Sequence, residues 1–106
     1  HTEGVVFLTT GSKNLDAFAK IPDYENRVYA RILPVRASLE RALDLGYPPS
    51  RLICMQGPFS ADLNAAMFKE TKARYVVTKN SGHTGGFQEK LKGAERTGAT
   101  VIIIER

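Results

Sequence analysis

Residues 4–14 read GVVFLTTGSKN, an apolar run of strand length followed by a turn of small and polar residues. The same arrangement recurs where QGPFS at 56–60 follows LICM, and where TKNSGHTGG at 78–86 follows YVV. Apolar runs without alternation are typical of strands covered on both faces, as in parallel sheets. Because parallel strands end at a common edge, where such sheets bind ligands, we expect the three turns to form one shared site.

Helical patterns separate the apolar runs. Apolar residues repeat every three or four positions around Leu39, Leu63 and Phe87, as on the inward face of a helix. Ser60 is a good N-cap for the second of these helices, and Gly98 is placed to end the third. The expected strands are 4–8, 28–33, 52–55, 75–77 and 101–104.

With a further, shorter helical stretch from Leu15 to Ala19, the resulting order β-α-β-α-β-α-β-α-β predicts a three-layer α/β/α domain with a five-stranded parallel sheet, Rossmann- or flavodoxin-like. We expect the strand order 2-1-3-4-5. That order puts the topological switch between strands one and three, beside the first two polar turns.

Length and charge narrow the functional classes. A chain of 106 residues suits one domain with one core, so we take 1–106 as a single α/β domain. Its basic residues are interleaved with acidic ones, so the net charge of +4 favours a small polyanionic ligand as readily as nucleic acid, and we expect no nucleic acid partner. No apolar run approaches the roughly 18 residues of a membrane span and no signal peptide is visible, so we expect a cytoplasmic protein without membrane contact.

Several kinds of site are disfavoured. Cys54 is the sole cysteine and lies in an apolar run, which indicates a small buried residue. His83 has no cysteine or second internal histidine to share a metal, so we expect no metal site. The chain has neither a G-x-G-x-x-G after its first strand nor a Walker A spacing, and nothing indicates a self-contained hydrolase.

The three turns have the composition of an anion-binding cradle. Glycines allow close approach of backbone to a ligand, short polar side chains add hydrogen bonds, and Lys13 and Lys79 add positive charge at the same edge. The helices that follow would direct free N–H groups toward a phosphate or carboxylate. The alternative is that glycine and serine only make turns, and that Ser60 and Thr84 only cap helices.

The turns and their flanks resemble the precorrin-6A reductase family, in its C-terminal half. The segments that carry the resemblance are VFLTTGSKNL at 6–15, RILP at 31–34, MQGPFS at 55–60, Asn64, VTKNSG at 77–82, GGFQEKL at 85–91 and the closing VIIIER. Together they cover nearly the whole chain, and the combination of QGPFS with TKxSGxxGG is far more specific than one glycine-rich loop.

The resemblance implies an enzyme of cobalamin (vitamin B12) biosynthesis. It implies that a reduced nicotinamide cofactor, usually NADPH with NADH possible, reduces one double bond of the corrin precursor to give precorrin-6B. It names no catalytic residue. The positions it implies for the cofactor side of the cleft are Thr10, Gly11, Ser12, Lys13, Gln56, Gly57, Pro58, Phe59, Ser60, Lys79, Asn80, Ser81, Gly82, Gly85 and Gly86.

The resemblance also implies a missing part. Family members have two Rossmann-like halves with the cofactor between them, and the N-terminal half with its own glycine-rich turn is not in this sequence. We therefore expect an isolated C-terminal domain with little turnover, whose partners are a tetrapyrrole substrate and the missing N-terminal domain. Two alternatives stay open: a non-catalytic nucleotide- or anion-binding module that serves a partner protein, and a small nucleic-acid binder.

Overall fold

A computed structural model describes residues 4–79 and 86–104. Its elements in chain order are β1 Val5–Leu8, α1 Leu15–Phe18, α2 Tyr24–Arg27, β2 Val28–Ile32, α3 Arg36–Asp44, a 3₁₀ turn Pro49–Arg51, β3 Leu52–Cys54, α4 Ala61–Glu70, β4 Ala73–Lys79, α5 Phe87–Thr97 and β5 Thr100–Ile104. The five strands form one parallel sheet, so the predicted fold class is confirmed.

The predicted strand order is wrong. The sheet runs β3-β2-β1-β4-β5, so the chain winds outward from β1 to β3 and then crosses back to place β4 beside β1. The physical reason is that β2 carries enough buried side chains for an inner strand, whereas β3 is three residues long and half exposed, as suits an outer strand. The topological switch therefore lies between β1 and β4.

Helices cover the sheet on both faces. On one face, α1 and α3 contribute Leu15 and Ala42 to a core that includes Val6, Leu8 and Ile32. On the other face, α4 and α5 cover Phe7 and Val76 with Phe68 and Ala94. The rings of Phe7 and Phe68 meet edge to face with their centroids 5.0 Å apart, a favourable arrangement for buried aromatic rings.

Some side chains are buried or exposed in a way that the sequence does not predict. In α3 the buried residues are Ser38 and Ala42, while Leu39 and Leu43 are 38% and 42% exposed, so the helix is where the spacing predicts but its inner face is rotated. Cys54 ends the outer strand β3 and is exposed, so the prediction of a buried cysteine is wrong.

The outer strand β5 is less covered than its sequence implies. Although its run is almost wholly apolar, Ile102 and Ile103 are 42% and 43% exposed. A continuous apolar run therefore does not mean coverage on both faces at this border of the sheet. Within the described ranges, no helix has both the length and the apolar character needed to cross a membrane.

Tyr47 joins the end of α3 to α1. Its side chain is fully buried, and its hydroxyl donates a hydrogen bond of 2.7 Å to the carbonyl of Leu15. Tyr24 packs edge to face against it at 5.2 Å and donates its own hydroxyl to the carbonyl of Leu45. The two rings thus tie the helices of this layer to one another.

Stability should fall in alkaline solution because of Tyr47. Burial, followed by the charges of Tyr24 and Asp16, raises the pKa of Tyr47 well above its usual value, so the tyrosinate is disfavoured in the folded chain. The stabilisation that comes from keeping Tyr47 protonated is fully present below about pH 10, the pKa of tyrosine in the unfolded chain. It is lost as pH rises toward the higher pKa of Tyr47 in the folded chain. We expect the urea midpoint to fall between about pH 9 and about pH 11, and Tyr47→Phe to flatten that fall.

At neutral pH, Tyr47→Phe should cost about 1 kcal/mol, because the carbonyl of Leu15 loses one of its two described donors and keeps only the N–H of Ala19. Tyr29→Phe, which removes a tyrosine hydroxyl from outside this pair of rings, is the matched control. An equal slope for Tyr47→Phe and the parent would contradict this assignment.

Candidate ligand-binding site

A cavity of about 520 Å³ opens at the carboxyl ends of β1, β2 and β3. Four segments form its described wall: Thr9 and Gly11 after β1, residues 31–33 at the end of β2, residues 55–59 after β3, and Gly86 with Lys90 at the start of α5. Segments far apart in the chain therefore meet at one edge of the sheet, which is where doubly wound sheets bind ligands.

The structure brings some of the predicted site residues into this wall and leaves others out. Gly11, Gln56, Gly57, Pro58, Phe59 and Gly86 line the cavity. Thr10, Ser12, Lys13, Ser60 and Lys79 are described but do not form part of the wall. Asn80, Ser81, Gly82, His83, Thr84 and Gly85 lie outside the described residues.

The turn after β1 is hydrogen-bonded to β4, its neighbour at the topological switch. The N–H and the Oγ1 of Thr9 both donate to the carbonyl of Val77, at 2.9 and 2.8 Å, and so join the ends of β1 and β4. Gly11 has a φ of +75° and open space where a Cβ would stand, so its backbone is accessible from the cavity side. Buried oxygens of Thr10 and Asn14 have no hydrogen-bond partner among the described residues. These two oxygens are buried and lie outside the cavity wall, so the group that this turn offers to a ligand is the backbone at Gly11.

The turn at 56–60 has a structural role as well. Ser60 Oγ accepts the N–H of Leu63 at 3.0 Å, which confirms the predicted N-cap of α4. The peptide bond between Gly57 and Pro58 is cis. A Cβ on Gly57 would stand 2.9 Å from the ring of Phe59, so glycine lets that ring fold back over the turn. The ring of Phe59 becomes part of the cavity wall.

Arg31, like Lys90, belongs to the site although the polar turns of the sequence do not point to it. It sits inside β2, 5% exposed, with its side chain on the α4 and α5 face of the sheet. Its Nη1 donates to Oδ1 of Asn64 at 2.9 Å, and its guanidinium carbon lies 4.0 Å from the centroid of the Phe59 ring. A charged residue inside the apolar run VYARIL is the sequence signal that could have identified it.

Two positive charges share the wall. Burial lowers the pKa of Arg31 to about 10, which leaves the guanidinium charged at neutral pH. Burial, and then the charge of Arg31, lower the pKa of Lys90. The described wall contains no aspartate or glutamate; Glu89, in the first turn of α5, is exposed beside Gly86. The cavity is therefore electropositive inside.

The donor set fits an organic anion rather than a metal. The described residues contain no group of three or more side chains that could hold a metal ion. By contrast, α5 begins beside the cavity at Gly86, which lines the wall and has no side chain to cap the helix, so this helix N-terminus suits an anionic acceptor there. Glycine backbone, a helix N-terminus and two cations suit the phosphates of a nicotinamide nucleotide.

A doubly wound parallel sheet with this site at its carboxyl edge defines a Rossmann-type α/β domain. Within that class the chain belongs to the family described as Precorrin-6x reductase CbiJ/CobK, whose model matches residues 2–106. The family resemblance found in the sequence is thereby confirmed.

Similar proteins carry matching names. The chain is 42% identical over 101 residues to the cobalt-precorrin-6A reductase of Salmonella typhimurium, covering 95% of this chain and 38% of that protein. It is 50% identical over 80 residues to that of Methanothermobacter thermautotrophicus, covering 76% of this chain and 26% of that one. The solved structure of CobK precorrin-6A reductase superimposes with a TM-score of 0.74 at 25% identity, over 97% of this chain and 39% of that chain. This chain thus spans about two fifths or less of the relatives it matches.

Proposed function

We propose that this chain is the C-terminal domain of a precorrin-6A or cobalt-precorrin-6A reductase of cobalamin biosynthesis. The reaction is an NAD(P)H-dependent reduction of one double bond of the corrin precursor, giving precorrin-6B. The observation that carries the proposal is the family match over residues 2–106, a range that includes every described residue of the cavity wall. The partner of this domain is a second, N-terminal domain, since relatives are more than twice as long.

In this mechanism the chain contributes binding and orientation. When bound, the reduced nicotinamide supplies the hydride. Backbone N–H groups at Gly11 and at the N-terminus of α5, both of which border the cavity, would donate hydrogen bonds to phosphate oxygens, and the apolar part of the wall would exclude water from the reacting face. The described wall offers no carboxylic acid to supply the proton, so we assign no acid in this domain.

We propose NADPH as the preferred cofactor. In Rossmann-type domains an acidic residue after β2 binds the ribose 2′-hydroxyl of NADH, whereas an arginine nearby accommodates the 2′-phosphate of NADPH. Here β2 contains Arg31 and is followed by Leu33, Pro34 and Val35, with no acidic residue. This charge pattern favours the phosphorylated nucleotide.

Titration of the chain with NADPH, NADH, AMP and a short DNA duplex, followed by nicotinamide fluorescence and calorimetry, tests the proposal. We expect saturable binding of NADPH, weaker binding of NADH, and no steady NADPH oxidation with precorrin-6A until the N-terminal half of a relative is added. Saturable AMP binding with indifference to nicotinamide would instead favour a non-catalytic module. Steeply salt-dependent duplex binding would favour a nucleic-acid binder.

The remaining predicted cofactor contacts can be tested in the same titration. Lys13 is exposed and Lys79 is half-buried, both beyond the described wall, so each would act on a phosphate through a partly screened charge. We expect Lys13→Ala and Lys79→Ala each to weaken NADPH binding about threefold, which corresponds to about 0.65 kcal/mol. Lys69→Ala on α4 is the control, and parental affinity in both variants would remove these lysines from the site.

A further inference from the structure

We propose that Arg31 and Lys90 form an oxyanion-binding pair on the inner wall of the cavity, which takes a carboxylate or phosphate group of the bound ligand. The inference rests on the proposed function, since it assigns a ligand group to the same cavity. On this inference, the main positive contacts of the ligand are Arg31 and Lys90, and not Lys13 and Lys79.

Within 4–79 and 86–104, the side chain of Arg31 has several close neighbours but no counter-charge. Its described neighbours are neutral: the amide of Asn64, the sulfur of Met67 and the rings of Phe59 and Phe7. Among the described residues, all hydrogen bonds of Arg31 leave from Nη1, so the other guanidinium nitrogens have none there. A charge buried without an opposite charge is costly, and an anion entering the cavity would offset that cost.

The guanidinium is also held in position. Asn64 fixes Nη1, and its own amide nitrogen donates to the carbonyl of Ser60 at 2.9 Å and to that of Phe59 at 3.4 Å. One amide side chain thus connects the turn after β3 to Arg31. A planar group held this way by a hydrogen bond and a stacked ring is prepared for a planar or tetrahedral oxyanion.

Lys90 supplies the second charge. It lies one turn into α5, lines the same cavity and is close enough to Arg31 for the two charges to repel. Two like charges in one half-buried wall are unfavourable unless an anion lies between them. Gly86, the N-cap of α5, lines the same cavity, so the positive end of that helix adds a third favourable element.

The rest of the wall limits the kind of ligand. Leu33 and Met55 are large, apolar and substantially exposed, and they line the same cavity as the Phe59 ring. An amphipathic ligand with a flat apolar body and peripheral anionic groups fits such a wall. A tetrapyrrole with carboxylate side chains and a nicotinamide nucleotide with phosphates both have this chemistry, and the test separates them.

The test measures the affinity of the chain for NADPH, NADH and the polycarboxylate uroporphyrin, using fluorescence and calorimetry. The variants are Arg31→Gln, Lys90→Gln and Asn64→Asp, with Lys92→Gln on the same helix but outside the wall as control. We expect the first three to lose at least about tenfold in affinity for the probe that uses the pair, and the control to stay within about twofold. A loss confined to uroporphyrin identifies a carboxylate, a loss for both nucleotides a shared phosphate, and a loss for NADPH alone its 2′-phosphate.

Two of the variants help to distinguish a loss of binding from a loss of folding. Lys90 is only half-buried, so Lys90→Gln should keep the thermal midpoint of the parent, and that variant decides the case if Arg31→Gln unfolds. Asn64→Asp keeps both cations and sets a carboxylate against Nη1 of Arg31, but it also removes the donor to the carbonyls of Ser60 and Phe59, so its affinity counts only where its thermal midpoint matches that of the parent.

Parental affinity in a folded Lys90→Gln for every probe that the parent binds would overturn the inference and leave the proposed function standing. Loss of uroporphyrin binding, in a parent that binds no nicotinamide nucleotide, would support the inference and contradict the cofactor role. A parent that binds none of the three probes would overturn the inference, while turnover with an added N-terminal half would still decide the proposed function.

Discussion

Replacement of Phe68 by alanine is expected to lower the free energy of unfolding by about 4 kcal/mol. Phe68 is fully buried between α4 and the sheet, where its ring meets Phe7 edge to face. Its removal would take apolar surface out of the core, break the aromatic pair and leave a cavity that the rigid strands cannot close. Urea denaturation followed by far-UV circular dichroism at 25 °C measures the loss.

Leu63→Ala is the matched control, because Leu63 lies on the same helix but is 38% exposed. We expect that variant to lose about 1 kcal/mol, in proportion to the smaller area buried. Equal losses for the two variants would show that Phe68 does not have the central position described here. Since domains of this size have only about 5 to 15 kcal/mol in total, Phe68→Ala should also melt well below the parent.

Gly93→Ala is the second substitution with a large expected effect. A Cβ at Gly93 would stand 2.7 Å from the Cβ of Asn64 and 2.9 Å from the backbone nitrogen of Ala65, so α4 itself would have to move. Overpacking against backbone costs about 3 kcal/mol, and the better helix propensity of alanine returns about 1 kcal/mol. We expect a net loss of about 2 kcal/mol in the free energy of unfolding, measured by urea denaturation.

Gly93→Ala should also weaken ligand binding in the cavity. Asn64 is the described partner of Arg31, so a shift of α4 would displace the guanidinium, and affinity for the ligand of the cavity should fall with stability. Lys92→Ala, on the neighbouring exposed position of α5, should change neither quantity. A gain in stability for Gly93→Ala would contradict the close contact of α4 and α5.

Much of the fold could be predicted from local sequence, and its strand order could not. The apolar runs place all five strands to within two residues at either end, and Ser60 and Gly98 mark helix ends because they satisfy specific backbone needs. Strand order depends instead on which strands pair across the sheet. The usable signals were the brevity of β3 and its exposure, and only the first of these is visible in the sequence.

The location of the site could be predicted from the sequence, but several of the side chains that line it could not. The turns at 9–11 and 56–59 meet because parallel strands end together, which follows from topology alone. Lys13 was expected at the same edge, but it lies outside the described wall because side-chain direction depends on backbone angles that composition does not determine. Arg31 and Lys90 were missed because they lie within a strand and a helix, where a search of turns does not look.

The exposed isoleucines of β5 affect how this chain behaves in concentrated solution. An outer strand with bare apolar side chains and unpaired backbone groups can template β-sheet growth between molecules. Glu105 and Arg106 follow it directly in the sequence, and charges beside such a segment oppose aggregation. Purification at low salt, where those charges are least screened, is the condition that should best keep the chain monodisperse.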